Sequence, residues 1–525
     1  MVTCCGGGAG QQTWTHHHLS VFLLTFFSYA LFHASRKTFS NVKATMEEEW
    51  LPEAPLANNT AAESAFLATN WHRPQYIFIQ HDRAETFLGT LDFVFLSCYA
   101  VGLYVSGVLG DRFDPRSVLS AGMIVSGVLC VCFGALSEWL HVYNVFWYGL
   151  FWGASGLAQS SGWPAEVSVM GNWFGFGSRG LVLGLWSACA SAGNIIGALI
   201  VSVTIQYGYE LAFLINGCML LAGGVVVFFG LVSAPRDLCL RDPDAIANAS
   251  EGSSEENTER PQPISLCRAI LLPGVVAFSL AYACLKCVNY SLFFWLPYYL
   301  NRKFDWPESL ADQLSTFYDW GGIVGGALAG LLSDRLASRT PVIVVMLLFA
   351  TGSLLVYSNS PNDTTLNALL MSLCGFLIGG PANLISAAVA ADLGRSPEVR
   401  GNAEALSTVT GVVDGTGSVG AAIGQQIVPL VQEVFGWHAL FLVFMLFMLL
   451  TVLCLLRLCA RETRTLVSRC RTARSCSVAY SQMPIEANSD DDADDADEHN
   501  EQCPQNTAAA ADDHGAGIMA VPEDP

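Results

Sequence analysis

Long apolar stretches recur along this chain and constrain its fold more than any other feature of the sequence. About twelve runs of roughly 20 mostly apolar residues lie between residues 19 and 458, and a helix of that length spans a lipid bilayer. Only 13% of the side chains are charged and the mean hydropathy is +0.42, too apolar for a soluble globule of 525 residues. The sequence predicts an all-α membrane protein with about twelve transmembrane helices.

Basic residues are unevenly distributed among the connections that join these runs. Counted from the amino end, the even-numbered connections carry arginines, whereas the odd-numbered ones are nearly free of Lys and Arg, apart from the first and the one after span seven. Positive residues favour the cytosolic side of a membrane. The even-numbered connections and both termini are therefore predicted to be cytosolic. Much of the net charge of -20 lies in an acidic carboxy-terminal run without periodicity, which predicts a disordered tail.

A polar segment near the middle of the chain divides the spans six and six, as a linker between two halves would. The predicted organisation is a cytosolic amino terminus (1–18), an amino-terminal six-helix half (19–233) with a luminal loop (41–85), a cytosolic linker (234–269), a carboxy-terminal six-helix half (270–459) and a cytosolic, disordered, acidic tail (460–525). The luminal loop contains the acceptor sequence Asn58-Asn59-Thr60, so glycosylation is predicted at Asn58.

The two halves share a motif, G-x-x-x-D-R-x-x-x-R, after span two and again after span eight. An Arg-Gly pair precedes both span five and span eleven in nearly the same register, which indicates an internal duplication. An ordinary basic loop would explain the arginines but not the paired Gly and Asp. We expect a gate in which Gly permits close helix contact, Asp caps or pairs with helix ends, and Arg tethers loops. The predicted gating residues are Gly107, Asp111, Arg112, Arg116, Gly330, Asp334, Arg335 and Arg339.

Few charged residues occur inside the predicted spans, and each is a candidate functional residue because charge is costly there. Arg36 and Lys37 lie toward the end of span one, and Lys286 lies inside span seven, which corresponds to span one under the repeat. Two cations facing one central cavity would suit a doubly charged phosphate monoester, since Arg offers a bidentate fork and Lys a point charge. The alternative for Arg36 and Lys37 is snorkelling to the membrane surface.

Acidic and aromatic residues supply further candidates. Asp92, Asp319 and Asp414 lie in or beside spans, where each could pair with a cation or carry a coupling proton. Tyr99 and Tyr290 could line a sugar-sized cavity, although rings within helices more often pack against neighbours. The sequence offers no nucleophile with a base, no metal cluster and no nucleotide loop in a suitable context. We therefore expect no enzyme activity, no cofactor, no metal and no nucleic-acid partner.

Several short motifs resemble those of a known family. They are Ser-Arg-Lys-Thr-Phe-Ser from residue 35, Gly-Trp-Pro from residue 162, Gly-Asn-Trp-Phe from residue 171 and the paired G-x-x-x-D-R loops. In these the chain is similar to the sugar-phosphate exchangers related to the glucose-6-phosphate transporter, which are organophosphate:phosphate antiporters of the major facilitator superfamily. The resemblance covers roughly residues 21–458.

The resemblance implies the major facilitator fold, alternating access, exchange of a sugar phosphate for inorganic phosphate, and residence in the endoplasmic reticulum membrane. Arg36 matches the first-span arginine of the family's phosphate site, and Lys286 takes the place of its basic residue in span seven. Two departures put substrate and coupling in doubt: bacterial relatives carry a histidine in span five where this chain has Ala190, and an Arg where it has Lys286.

Two other functions are compatible with the sequence. One is a proton-coupled symporter of a sugar or small anion, in which Asp92 or Asp414 would titrate. The other is a carrier-like protein that no longer transports and serves as a membrane partner or sensor through its tail. An accessory membrane protein could be a partner of this chain. The sequence Tyr480-Ser481-Gln482-Met483 fits a tyrosine sorting signal, which makes the lysosomal membrane an alternative location.

Overall fold

Helices make up nearly all of the described structure. The structure is a computed structural model that describes residues 15–51, 77–78, 81–174, 176–238, 240, 262–395 and 403–481. Its α-helices are α1 (His16–Trp50), α2 (His81–Arg112), α3 (Pro115–Phe133), α4 (Ala135–Leu140), α5 (Val145–Gln159), α6 (Gly162–Trp173), α7 (Phe176–Trp186), α8 (Ala188–Thr204), α9 (Tyr209–Gly230), α10 (Leu266–Ile270), α11 (Val275–Phe304), α12 (Glu308–Leu336), α13 (Thr340–Ser358), α14 (Thr364–Asn383), α15 (Ala390–Gly394) and α16 (Leu406–Ser481).

Shorter elements join or interrupt these helices. Turns of 3₁₀ helix occupy Ile205–Tyr207 and Pro235–Leu238, and a π-helical segment, Leu384–Val389, connects α14 to α15. Two-residue strands, β1 (Gln262–Pro263) and β2 (Ala403–Glu404), pair in parallel. The fold is otherwise a helix bundle. Helices satisfy their backbone N–H and C=O groups internally, which the water-free core of a membrane requires.

The helices account for the predicted dozen crossings. Within the described residues, nine helical stretches are long and apolar enough to cross a membrane. The last of them contains two crossings, because Gly436 in α16 has a non-helical backbone (φ 78°, ψ 172°) that separates two helices. The two remaining crossings are α5 with α6, which the bend at residues 160–161 divides, and α12, whose acidic residues lower its hydropathy. The prediction of about twelve spans is confirmed.

Apolar side chains cover the outside of the bundle, and many polar ones lie within it. Phe146 and Phe229 are 82% and 80% exposed, whereas Arg36, Asp92 and Lys286 are at most 1% exposed. A soluble protein has the reverse arrangement. This distribution suits a chain whose outer surface faces lipid and whose interior holds a polar site.

Two predicted boundaries are wrong. The loop predicted at 41–85 is shorter, because α1 continues to Trp50 and α2 begins at His81; the charged residues near the end of α1 look like loop in sequence, but Lys43 pairs with Asp92 inside the bundle. The predicted disordered tail from residue 460 begins with helix, since α16 continues to Ser481. Its acidic run and the predicted glycosylation site Asn58 lie outside the described residues.

Candidate functional site

Arg36 is a fully buried cation in the middle of α1. Its Nε donates to Gln159 Oε1 on α5 at 2.6 Å. Its Nη1 and Nη2 have no hydrogen-bond partner among the described residues. Aromatic rings surround the guanidinium instead, with Cζ 4.5 Å from the Tyr99 ring centre and 5.9 Å from that of Tyr29. Arg36 therefore does not snorkel to a surface; it presents unused donors to the interior of the bundle.

Lys286 is the corresponding cation of the carboxy-terminal half and is also buried. Its Nζ donates to Asp414 Oδ1 at 2.8 Å and to Ser418 Oγ at 2.8 Å, both on α16. The ring centres of Tyr290 and Tyr282 lie 4.9 and 5.4 Å from Nζ. The charge of Lys286 is thus compensated by a carboxylate, whereas that of Arg36 is met by an amide oxygen and rings.

Tyr99 on α2 joins the two cations. Its ring centre lies 4.5 Å from Arg36 Cζ and 5.6 Å from Lys286 Nζ. The negative face of an aromatic ring attracts cations, so one side chain stabilises both. The structure therefore brings together four of the five predicted substrate-binding residues: Arg36, Lys286, Tyr99 and Tyr290.

The fifth, Lys37, points elsewhere. Its Nζ donates to the carbonyl oxygen of Phe293 on α11 at 3.2 Å and lies 4.9 Å from the ring of the same residue. Two turns further along α1, Lys43 Nζ pairs with Asp92 and lies 5.0 Å from the Trp295 ring centre. Both lysines therefore link α1 to the carboxy-terminal half, and Asp92, predicted as a coupling acid, holds Lys43.

A cavity of about 70 Å³ lies between the halves and reaches the edge of this cation cluster. Tyr29, Tyr290 and Asp414 line one side of it. Along another side runs a polar chain, in which His33 Nδ1 and Asn194 Oδ1 lie 3.0 Å apart and Asn194 Nδ2 donates to Asp319 Oδ1 at 2.6 Å. We call the residues of this chain, with Asn289 and Asn383 from the same lining, the polar wall.

The aspartates of the predicted gating motif contact the opposite half in both repeats. Asp111 accepts from the backbone N–H groups of Ser407 and Thr408, at the start of α16, at 2.9 and 2.8 Å. Asp334 accepts from the backbone N–H of Leu181 on α7 at 2.6 Å. Each aspartate therefore contacts a helix of the opposite half. The contact of Asp111 lies at the first turn of α16, where the positive end of the helix dipole favours an anion, whereas Leu181 lies further along α7.

The motif glycines allow this contact. A Cβ on Gly107 would lie 2.9 Å from the carbonyl oxygen of Ser407, and a Cβ on Gly184, which packs against Gly330, would lie 2.6 Å from the carbonyl oxygen of Gly326. Both helix pairs are therefore too close for a larger residue. Toward the carboxyl end of α1, the contacts of Lys37 and Lys43 connect the two halves.

The motif arginines differ between the halves. Arg339 donates through Nε to Asp392 at 3.0 Å and also pairs with Asp334, whereas Arg116 pairs with Asp114 before its own helix, at 3.2 Å. Arg112 and Arg335 are exposed. The expectation that these arginines tether loops therefore fits Arg339, but Arg116 stays within its own connection.

The sequence analysis missed four residues of this region. Gln159, His33 and Asn194 are polar rather than charged, so a search for charge in spans passes over them. Glu166 on α6 has an ionisable side chain and is fully buried, and that same search would have found it inside the apolar segment from residue 162 to 173.

Comparison with known proteins gives a family. Residues 25–425 match the model of the Major Facilitator Superfamily. "Sugar phosphate exchanger 3" of Gallus gallus is 51% identical over 480 residues, which cover 86% of this chain and 94% of that protein. The Homo sapiens protein of the same name is 50% identical over 483 residues, covering 88% and 97%. "Glucose-6-phosphate exchanger SLC37A2" of Mus musculus is 34% identical over 475 residues, covering 86% and 93%.

A solved structure gives the same fold at low sequence identity. The proton:xylose symporter XylE bound to 6-bromo-6-deoxy-D-glucose superposes with a TM-score of 0.60 and 13% identity, covering 85% of this chain and 96% of the symporter. The likeness to XylE supports the fold alone. It agrees with the predicted major facilitator architecture of two six-helix halves.

Proposed function

Because this chain belongs to the major facilitator superfamily and, within it, to the sugar phosphate exchangers, we propose that it exchanges a phosphorylated sugar for inorganic phosphate across a membrane. The relatives are named exchangers, so the chain is a multi-pass transporter and not an enzyme.

One observation carries the proposal: cations from both halves converge on the Tyr99 ring. The free Nη1 and Nη2 of Arg36 match the bidentate geometry of a phosphate. Lys286 adds a point charge, which becomes available when Asp414 moves away or when the phosphate replaces it. A dianion bound by both cations would connect the two halves electrostatically, as an exchanger needs during its conformational change.

The polar wall supports the sugar part of the substrate. His33, Asn194 and Asp319 present donors and acceptors along the same cavity that reaches Tyr290 and Asp414. Sugar hydroxyls both donate and accept hydrogen bonds, so a wall of mixed polarity suits them better than an apolar one. We expect the phosphate at the cation cluster and the hydroxyl groups at the polar wall.

Alternating access would require the contacts between the halves to break on one side of the bundle and then on the other. The cavity of about 70 Å³ is too small for a hexose phosphate, so the halves must separate on one side to admit it. Opening at the Asp111 end would break the backbone contacts of Asp111 and Asp334, and opening at the other end would break the contacts of Lys37 and Lys43. The distribution of arginines supports a cytosolic Asp111 end.

The endoplasmic reticulum membrane is the location that the family resemblance supports, with the lysosomal membrane as the alternative given by the sorting sequence at residue 480. Asn58 would then be glycosylated in the lumen. Membrane lipid is the expected environment, and an accessory membrane protein is a partner that co-purification would test.

Counterflow tests the exchange directly. Purified full-length protein is placed in liposomes loaded with labelled phosphate, and efflux is measured with and without a hexose phosphate outside. We expect efflux only when an external phosphorylated anion or phosphate is present, because an exchanger returns loaded. A proton ionophore is expected to leave this efflux unchanged.

Two results would contradict the proposal. Efflux into anion-free medium that follows an imposed pH gradient would indicate the proton-coupled symporter. No efflux under any condition, from protein shown by its thermal unfolding to be folded, would favour the non-transporting membrane partner.

A further inference from the structure

Glu166 is a buried acid that the anion site does not explain. It lies in the middle of α6 and is fully buried. Its Oε1 is 2.6 Å from Ser28 Oγ on α1, while its Oε2 has no hydrogen-bond partner in the part of the chain that the structure describes. A carboxylate with one oxygen unmatched inside a membrane bundle would be costly.

The hydrogen bonds of Ser28 indicate where the proton lies. The Ser28 hydroxyl carries one hydrogen and is 3.0 Å from the carbonyl oxygen of Thr25 and 2.6 Å from Glu166 Oε1. The carbonyl oxygen can only accept. When the hydroxyl donates to Glu166 Oε1, an ionised carboxylate still leaves Oε2 without a donor. When it donates to Thr25, the short contact at Oε1 needs a hydrogen on the carboxyl group. A neutral acid satisfies both contacts and avoids leaving a buried anionic oxygen without a donor.

Arg36 is the charged group that Glu166 would affect. Among the described side chains, the charged and titratable groups that interact with Glu166 are Arg36 on α1 and Cys189 on α8. Arg36 lies about two turns beyond Ser28 on the same helix, α1, and α1 packs against α6 through the Ser28–Glu166 contact and through Thr25 Oγ1, which lies 3.4 Å from Met170 Sδ. A negative charge on Glu166 would therefore act on the guanidinium through a medium of low dielectric constant.

We propose that Glu166 is a proton-binding site linked to the anion site: its neutral form leaves the charge of Arg36 available to the substrate phosphate, and its ionised form competes for that charge. The only covalent change is transfer of the carboxyl proton to water, which leaves a carboxylate. Anion affinity should then fall as pH rises through the ionisation of Glu166. This inference rests on the proposed function, because it assumes an anion at Arg36.

The protonation state can be measured without any substrate. Infrared difference spectra of the purified full-length protein and its Glu166→Gln variant at neutral pH should differ by the carbonyl stretch of a protonated carboxyl, present only in the native chain. Glu138→Gln is the matched control. Glu138 lies outside the central cavity, and Tyr143 donates to its carboxylate at 2.6 Å. Substitution of Glu138 should leave the band unchanged. A native spectrum without the band, or a band that survives in Glu166→Gln, would overturn the proposal.

The linkage is measured with inorganic phosphate as the probe. Phosphate affinity is determined at intervals from about pH 6 to about pH 9, and the ratio of native to Glu166→Gln affinity is taken at each pH, so that the ionisation of phosphate itself cancels. We expect a ratio near one at low pH that falls roughly tenfold at high pH. The same ratio for Glu138→Gln should stay near one throughout.

Each other outcome has a definite meaning. A constant ratio at all pH values, or a Glu166→Gln variant that binds weakly even at low pH, would overturn the linkage. If the native protein binds no phosphate at any pH while the carboxyl band is present, the proposed function fails and the protonated state of Glu166 stands by itself.

Discussion

The two cations of the site occupy related helices but differ in how their charge is balanced. Arg36 in the amino-terminal half has an amide partner, aromatic rings and two free guanidinium nitrogens. Lys286 in the carboxy-terminal half has a carboxylate, Asp414, within 2.8 Å. A buried charge without a counter-ion attracts an anion strongly, whereas a paired one must first lose its partner. We therefore propose that Arg36 captures the phosphate first and that Lys286 brings about the response of the second half.

Removing Arg36 is expected to have the largest effect. Arg36→Ala deletes the cation that has no carboxylate partner among the described residues. Phosphate counterflow in liposomes should fall about 100-fold or more, as is typical when one member of a buried charge pair, here Arg36 and the bound phosphate, is lost. Arg36→Lys keeps the positive charge but loses the two-pronged guanidinium. Its counterflow rate should therefore lie between those of the native protein and Arg36→Ala. Arg457→Ala, which removes an exposed arginine, is the control and should transport normally. Substantial exchange by Arg36→Ala would contradict the proposal that Arg36 is the first residue to bind the phosphate.

The Lys286–Asp414 pair gives a sharper comparison. Lys286→Ala should weaken phosphate binding severely, because it leaves the carboxylate of Asp414 uncompensated beside the incoming anion. Adding Asp414→Asn removes that repulsion, so the double variant should recover about tenfold in phosphate affinity over the single one. Calorimetric titration with phosphate measures both. A double variant no better than Lys286→Ala would mean that Asp414 does not oppose the substrate.

The polar wall should affect selectivity more than phosphate binding. Asp319→Ala and Asn194→Ala each remove hydrogen bonds beside the cavity. We therefore expect the concentration of external hexose phosphate that half-inhibits uptake of labelled phosphate to rise about five- to tenfold, while the half-inhibitory concentration of unlabelled phosphate stays nearly constant. Asn216→Ala is the matched control, a buried asparagine that donates to Thr38 Oγ1 at 2.8 Å away from the cavity lining. Equal losses for both inhibitors would refute a separate sugar site.

Substitution of the gating aspartates should have the smallest effect of the four predictions. The change in amide hydrogen exchange should be of similar size in the two halves. Asp111→Ala removes the acceptor for two backbone N–H groups of α16, and Asp334→Ala removes the one for Leu181. Loss of the acceptor for such a backbone N–H group costs about 1 kcal/mol. Amide hydrogen exchange should accelerate about fivefold at the first turn of α16 in one variant and at α7 in the other. If exchange accelerates at other helices instead, these aspartates do not hold the halves together as proposed.

Sequence and structure agree where periodicity and charge give strong signals. Twelve crossings, the duplicated motif and the candidate cations follow from apolar length, register and the cost of charge in lipid. The pairing of Lys286 with Asp414, and the path of Lys37 toward Phe293, could not be read from sequence because they depend on how α11 and α16 are rotated. The long first helix was missed because Lys43 and its acidic neighbours look solvated until Asp92 is placed beside them.

Polar residues within spans were the systematic omission. Gln159 and Asn194 hold Arg36 and Asp319, yet uncharged amides are frequent enough in membrane helices that neither stands out by itself. Glu166 was detectable, since it is an acid in an apolar segment. Its hydrogen-bond partner on α1, 138 positions away in sequence, was not.

The most direct test of the account is a cryo-electron microscopy structure of the purified protein with a hexose phosphate bound. We predict density for the phosphate group beside the Tyr99 ring, within hydrogen-bond distance of both Arg36 and Lys286, with the Asp414 carboxylate displaced from Lys286 and the sugar along the polar wall. Phosphate density that contacts neither cation, or that lies at the Lys43–Asp92 pair with the Lys286–Asp414 contact intact, would contradict it.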